Sequence, residues 1–550
     1  MHYYILLTSG LGGGELTVIT IANNIFGIIV DVCLLFLFAY EISRHAIKFS
    51  LIFCFCVTLV WSFSNVLYSR FFQHYITFSA IGQGSSLFDS LMLRILIDGI
   101  SCFDCYYILA IVAFCFLIRN NGKNNWAPPK ISLKILMVLL TAFLINVSCY
   151  MLWCAQKPEW RYLSYFTKMF DRRHFSKTIF LINPKNANFE RGSVRSLITE
   201  LCFSLQGKIN LEDGNKMNII RKEIDKSKLN NSYEFSSDQN VIMIIVESYM
   251  SFTSDMLYKG KEVTPFLNYL KRDPAVYYNG SVKENITIGE SSDGQYIYMT
   301  GLLPLRSVIT VSKACHVALP GLPKKLGKES RMIIPSIKSV WIQEDMCRQY
   351  GFNYLYASND YEGTHDSNLN DEQVFRLAMG KDKTSKQPFF SVILTMSMHQ
   401  PYTKQIDSSF PINDPTIPSD LACYLNVCHY TDSQIKKYFD HLKKIGLYDN
   451  SLIIITADHR VHNTDFGGVD EHIPLYIRHP TINRDEMWKG ECNQLDVYTT
   501  ILDLVGCKGS WFGLGHSLAS KQYTNALTGK TWDVSEWIIM GDYFGHRDSQ

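Results

Sequence analysis

Glu247, Ser291, Asp458 and His459 are the residues whose types and placement could do chemistry together. Glu247 closes the apolar run NVIMIIVE, and Asp458 and His459 close SLIIITADH. Ser291 lies in GESSDGQYIYMTGLLPL. Carboxylate oxygen and imidazole nitrogen suit manganese, magnesium or zinc. A serine hydroxyl is a weak nucleophile at neutral pH, and a bound divalent ion favours its alkoxide. Ser292 or Asp293 can cap the helix predicted from GQYIYMTG. The free N–H groups at that helix start form an anion site. Metal on one side and helix N-terminus on the other is a setting for phosphoryl transfer. Taken singly, each residue has a plainer use: a strand-end glutamate solvates a loop, and Ser-Ser-Asp caps a helix. Their shared placement argues for a common site.

That placement depends on the elements around them. NVIMIIVE, RMIIPS, FFSVILTMS, SLIIITAD, IPLYI and EWIIMGD are short runs rich in Ile and Val, read as strands. Helical patterns separate several of them, the longest being DLACYLNVCHYTDSQIKKYFDHLKKIG. Alternation of this kind predicts an α/β domain with a mostly parallel sheet and helices on both faces. Ligands of such sheets bind outside the carboxyl ends of the strands. Glu247, the Asp458–His459 pair and His399, which follows FFSVILTMS, all fall at such ends.

The first 155 residues differ. Four apolar stretches, 17–40, 50–68, 95–118 and 131–155, are long enough to be read as spans. Arg44 and Lys48 lie between the first two, and Arg119, Lys123, Lys130 and Lys134 between the last two. Positive charge marks both loops as cytoplasmic and puts the long remainder outside the cytoplasm. The predicted organisation is an N-terminal α-helical transmembrane bundle (1–155), a juxtamembrane linker with an amphipathic helix at GSVRSLITELCFSLQGK (156–236), and an extracytoplasmic α/β catalytic domain (237–550).

With 53 Lys plus Arg against 51 Asp plus Glu and no long charged run, nothing suggests nucleic-acid binding. Of 15 cysteines, eight lie in the apolar part, and an odd total cannot all pair. CFDC at 102–105 has redox spacing, but its place at the edge of a span favours packing.

These segments together resemble the lipoteichoic acid synthase family of membrane phosphotransferases, within the alkaline phosphatase and sulfatase superfamily. VIMIIVESYMSF is similar to the family's first strand with its metal-binding glutamate, Glu247. GESSDGQYIYMTGLLPL resembles the nucleophile segment and puts the nucleophile on Ser291 rather than Ser292. LTMSMHQPY resembles the substrate-phosphate segment, which falls on His399. The run YLNVCHYTDSQIKKYFDHLKKIGLYDNSLIIITADH carries the metal pair Asp458 and His459, and QLDVYTTILDLVG resembles the closing helix. Related lipid A phosphoethanolamine transferases have another active-site histidine before a proline, and EHIPLYI offers His472.

Two features depart from the family. Its arginine shortly after a tryptophan appears here as Gln343 in SVWIQEDMCRQYGF, and a neutral amide cannot make the bidentate charged contact to phosphate. The synthases have five spans where four are read here, so a further upstream helix is expected. Formylglycine sulfatases are set aside, because SSDGQ lacks their proline and arginine.

The resemblance implies one divalent ion, manganese first, with magnesium or zinc also fitting, held by Glu247, Ser291, Asp458 and His459. His399, His472 and Gln343 would bind substrate. A phosphoglycerol or phosphoethanolamine group would pass from a membrane phospholipid donor through a phospho-serine to an envelope glycan, lipid or polymer acceptor. The rivals are a sulfatase-like phosphodiesterase that uses water and a catalytically silent membrane scaffold.

Overall fold

The computed structural model describes residues 238–547, apart from 307, 364–367, 401, 403–404, 412–414, 462–465 and 467. Before residue 238 it describes segments, chiefly 47–72, 104–120 and 214–227. The chain divides into two compact units, one built from the N-terminal part and one from 207–305 with 309–550.

The described part of the first unit centres on helices α1 (Ile47–Phe72) and α2 (Cys105–Asn120). Phe55 stacks on Phe114 with ring centroids 3.8 Å apart, and Ser62 Oγ lies 2.7 Å from the Tyr107 hydroxyl. Below them Arg70 makes a bidentate pair with Asp104, both bonds 2.8 Å. Two ions so well buried hold together only in such a paired geometry. Among the described residues Leu51–Arg70 is long and apolar enough to cross a membrane, and Cys105–Arg119 is a shorter apolar helix. The first coincides with the second expected span, and the second covers only the later part of the third, whose residues Ile100 and Ser101 are not helical. The first and fourth, and the amphipathic helix of the linker, lie outside the described residues, where the nearest described helix is α3 (Gly214–Ile224).

The second unit is built on an eight-stranded sheet and a two-stranded ribbon. The strands are β1 (Asn240–Val246), β2 (Leu257–Tyr258), β3 (Lys261–Glu262), β4 (Val276–Lys283), β5 (Glu329–Ile333), β6 (Tyr354–Tyr356), β7 (Phe389–Leu394), β8 (Ser451–Ala457), β9 (Ile473–Arg478) and β10 (Cys492–Asn493). The large sheet has the order β10-β4-β9-β8-β1-β7-β5-β6, and β2 and β3 form the ribbon. From β8 to β6 all neighbours are parallel, and β9 runs antiparallel to both β8 and β4. β1, β7 and β8 are buried along their whole length, as continuous Ile/Val runs covered on both faces require. Asn240 fastens their amino ends: its side chain accepts the Phe389 N–H and donates to the Asn450 carbonyl.

The helices that bear on the site are α4 (Glu290–Thr300), α5 (Asp371–Asp382), α6 (Ser419–Lys444) and α7 (Asp496–Leu504). Five of the six expected strands form. EWIIMGD instead belongs to helix α8 (Gly529–Met540). Its start is fixed by a capping box between Thr528 and Thr531, and Val534, Ser535, Ile538 and Ile539 are buried at helical spacing. Strand β4, VYYNGSVK, was not anticipated, because Asn and Gly interrupt its apolar pattern. The described cysteines, among them Cys105, Cys315, Cys347, Cys423, Cys428, Cys492 and Cys507, are free thiols.

Candidate metal centre and nucleophile

Strand register brings the acidic residues together. In the β1–β8 pair Val246 stands beside Ala457, so the next residues, Glu247 and Asp458, leave the sheet side by side. Glu247, Asp458 and His459 offer one donor atom each, all within 4.8 Å of one another and all buried. Ser248 ties the two chain ends: its N–H donates to Asp458 Oδ1 at 2.9 Å and its hydroxyl to Glu247 Oε1 at 2.8 Å. It does so with a left-handed backbone, φ 51°. A non-glycine residue held there signals a conformation the surroundings impose.

Ser291 arrives from the other side, on the first turn of α4. Its Oγ lies 3.2 Å from Glu247 Oε2 and 3.1 Å from His459 Nε2. The helix lies so close to the end of β8 that a Cβ on Gly294 would stand 2.3 Å from the Asp458 carbonyl oxygen. Glycine is therefore required there. Tyr298 on the same helix donates to the Ala457 carbonyl at 2.6 Å, and Gln494 donates to the Asp458 carbonyl at 2.6 Å. Ser292 does not cap the helix, because its hydroxyl turns to the Gly289 carbonyl at 2.6 Å. Asp293 instead reaches back over the start and accepts the N–H of Thr287 and of Gly289, each at 3.0 Å.

The charge state of the cluster follows from its burial. Burial and the neighbouring Glu247 carboxylate push Asp458 up to about 7. Burial opposes charge on His459, but the carboxylates of Asp458, Glu247 and Glu290 outweigh it and hold the imidazole up to about 9. Two carboxylates side by side in a dry site demand a positive partner. His459 Nδ1 lies 2.7 Å from the Arg460 carbonyl. A carbonyl only accepts, so Nδ1 keeps its proton in either charge state, and Nε2, which faces Ser291, carries the proton that a bound ion would displace. The donor set fits a hard or borderline divalent ion.

His399 follows β7 on a loop held by Asp371, which accepts the N–H groups of Met396 and Ser397 at 2.8 Å. Its Nδ1 lies 2.7 Å from the Gln400 carbonyl, which leaves Nε2 as the open nitrogen. Burial holds this imidazole below its usual range, with the charge on His459 acting in the same direction. His472 lies elsewhere: its Nδ1 bonds Asp470, and its Nε2 is 3.6 Å from Glu491. Gln343 is buried and donates at 2.6 Å to Gln295, one helical turn after Ser291 on α4. Its approach is strained, with Trp341 at φ 53° and Ile342 at φ 54°. Ser248 and Asp371 escaped the sequence analysis. The first stands beside a stronger candidate, and the second reads simply as the first turn of a helix.

Two family models match the chain in tandem: Lipoteichoic acid synthase N-terminal domain over residues 7–183 and Sulfatase over residues 239–507. "Lipoteichoic acid synthase 2" of Bacillus subtilis is 27% identical over 86% of this chain and 74% of its own. The chain belongs to the lipoteichoic acid synthase-like family of the alkaline phosphatase and sulfatase superfamily. It is an enzyme of that sulfatase-fold family. Among other lipoteichoic acid synthases, that of Staphylococcus saprophyticus is 24% identical over 96% of this chain and 83% of its own. The crystal structure of the lipoteichoic acid synthase LtaP from Listeria monocytogenes aligns at 18% identity and a TM-score of 0.48, covering 60% of this chain and 98% of that one.

Proposed function

We propose that this lipoteichoic acid synthase-like enzyme moves a phospho-head group, phosphoglycerol or phosphoethanolamine, from a membrane phospholipid to an envelope glycan, lipid or polymer. The reaction runs through a phosphoester on Ser291. The observation that carries this is the approach of Ser291 Oγ to both Glu247 and His459, at 3.2 and 3.1 Å.

Glu247, Asp458, His459 and Ser291 would hold one divalent ion, manganese first among those that fit. Such an ion lowers the pKa of the serine hydroxyl and offsets charge on the phosphoryl group. The chain's own residues do the rest. The Ser291 Oγ–P bond forms as the P–O bond to the lipid alcohol breaks. The open Nε2 of His399, neutral through burial, takes the serine proton and returns it to the leaving alcohol oxygen. The acceptor hydroxyl then attacks the phosphoserine, with His399 taking its proton and passing it to the departing Ser291 Oγ as the Oγ–P bond breaks. The N–H groups at the start of α4 face the phosphoryl oxygens. Gln343 lines the head-group end, with His472 further out.

The membrane part, 1–155, and the linker, 156–236, would keep the catalytic domain, 237–550, at the outer face of a multi-pass cell-membrane protein. The lipid donor is then always within reach. Mass spectrometry of the full chain, quenched after mixing with phosphatidylglycerol and phosphatidylethanolamine vesicles, tests the proposal. A head-group phosphate mass on the peptide containing Ser291 is expected. No adduct, or an adduct on another residue, overturns it. An adduct lost to water at the same rate with and without acceptor favours the hydrolase instead.

A further inference from the structure

Asp293 is completely buried two residues after Ser291, and its carboxylate oxygens meet backbone N–H and threonine hydroxyl groups. Its Oδ2 accepts the Thr287 N–H and the Gly289 N–H, each at 3.0 Å, and the Thr287 hydroxyl lies 2.7 Å from it, sharing its one proton with the Leu305 carbonyl at 2.8 Å. Its Oδ1 accepts the Thr310 hydroxyl at 2.9 Å. Thr310 in turn accepts the Leu305 N–H at 3.0 Å, so the chain after α4 joins the same knot. The carboxylate thus clamps the strand-to-helix turn on both sides of Ser291. Between its anchor points Glu290 sits at φ 44°. This left-handed backbone, one residue before the nucleophile, needs an outside force to hold it.

Gly289 belongs to the same device. A Cβ there would stand 2.3 Å from Asp293 Oδ1, so any side chain at 289 evicts the carboxylate. Glycine is needed for the clamp to close rather than for an unusual φ, since Gly289 itself lies at φ −89°.

We propose that Asp293 is a positioning residue that holds Glu290 in its strained conformation and so aims Ser291 Oγ at the phosphorus. It touches neither substrate nor ion. The inference rests on Ser291 being the nucleophile. A nucleophile displaced by about 1 Å loses roughly a hundredfold in rate, while substrate binding elsewhere is unaffected.

The rate of head-group phosphate transfer onto Ser291 is the readout. It is followed by quench and mass spectrometry in the full chain with phosphatidylglycerol and phosphatidylethanolamine vesicles, alongside bound divalent metal and melting temperature. Asp293→Ala and Gly289→Ala should each slow phosphoryl loading of the serine about a hundredfold at saturating lipid. The lipid concentration for half-maximal rate and the metal stoichiometry should stay near wild type. The double variant should be no slower than either single one, because both remove the same clamp. Asp293→Asn keeps the oxygen that takes three donors and should recover to within about tenfold of wild type. Thr310→Val, which removes one hydroxyl without changing shape, should slow loading about tenfold and serves if the alanine variants misfold. Rates within threefold of wild type for folded variants would overturn the proposal. So would a rate loss that merely tracks lost metal or lost fold without recovery in Asp293→Asn. If wild type itself gains no adduct on Ser291, the assignment of the nucleophile fails, and the clamp with it.

Discussion

The candidate metal cluster and the outlying polar residues are held by different means. Glu247 and Asp458 leave adjacent parallel strands in matched register, and both strands are buried throughout. Their separation is set by the sheet itself. His399 sits on a loop tied by side-chain hydrogen bonds to Asp371 and from the Tyr402 hydroxyl to the Met398 carbonyl, and Gln343 follows two strained residues. His472 turns its ring nitrogens to Asp470 and Glu491 rather than to the cluster. Strand ends hold side chains more rigidly than loops do, so under the proposed function the cluster would keep its geometry while the surrounding loops would vary with head group and acceptor.

That contrast predicts a hierarchy of effects. Ser291→Ala should reduce transfer by roughly a thousandfold or more while leaving melting temperature unchanged, measured by release of labelled head group from vesicles. Comparable turnover in that variant would move the nucleophile to Ser292 and break the picture of a strand-end site. His399→Gln comes next. It should slow transfer about a hundredfold with metal retained, as expected for loss of a proton acceptor. His472→Gln should cost only a few-fold, because its ring nitrogens are engaged by Asp470 and Glu491. An equal loss for His472 and His399 in the same kinetic assay would erase the distinction between them.

The smallest effect lies far from the chemistry. Burial and the adjacent Arg478 push the His479 imidazole from 6.5 down to about 4. Its Nε2 meets Gln239 Oε1 at 2.8 Å and its Nδ1 accepts from Thr481, so both nitrogens are occupied in the neutral ring. A depressed histidine contributes stability that is complete above pH 6.5 and is lost as pH falls toward 4. Melting temperature should therefore fall over that window in wild type and fall less in His479→Gln, with transfer at neutral pH unaffected.

The same contrast explains what was legible in the sequence. Glu247, Asp458 and His459 could be found because a buried strand is a continuous Ile/Val run and its end is abrupt. The sheet class and α6 were legible through period and length. β4 was not, since Tyr278 and Asn279 obscure its alternation and its pairing with β9 is long-range. EWIIMGD was misread because four successive large apolar residues look alike in a short strand and a buried helix; the capping threonine upstream was the deciding signal. Ser248 and the Asp293 clamp depend on backbone angles that no composition or spacing records.

The central claim is that Glu247, Ser291, Asp458 and His459 share one cation. Manganese titration followed by electron paramagnetic resonance, on wild type and Asp458→Ala in parallel, addresses it most directly. One bound ion per wild-type chain, absent from the variant together with transfer activity, is the expected result. An ion that persists in Asp458→Ala, or no stoichiometric ion in an active wild type, would contradict it.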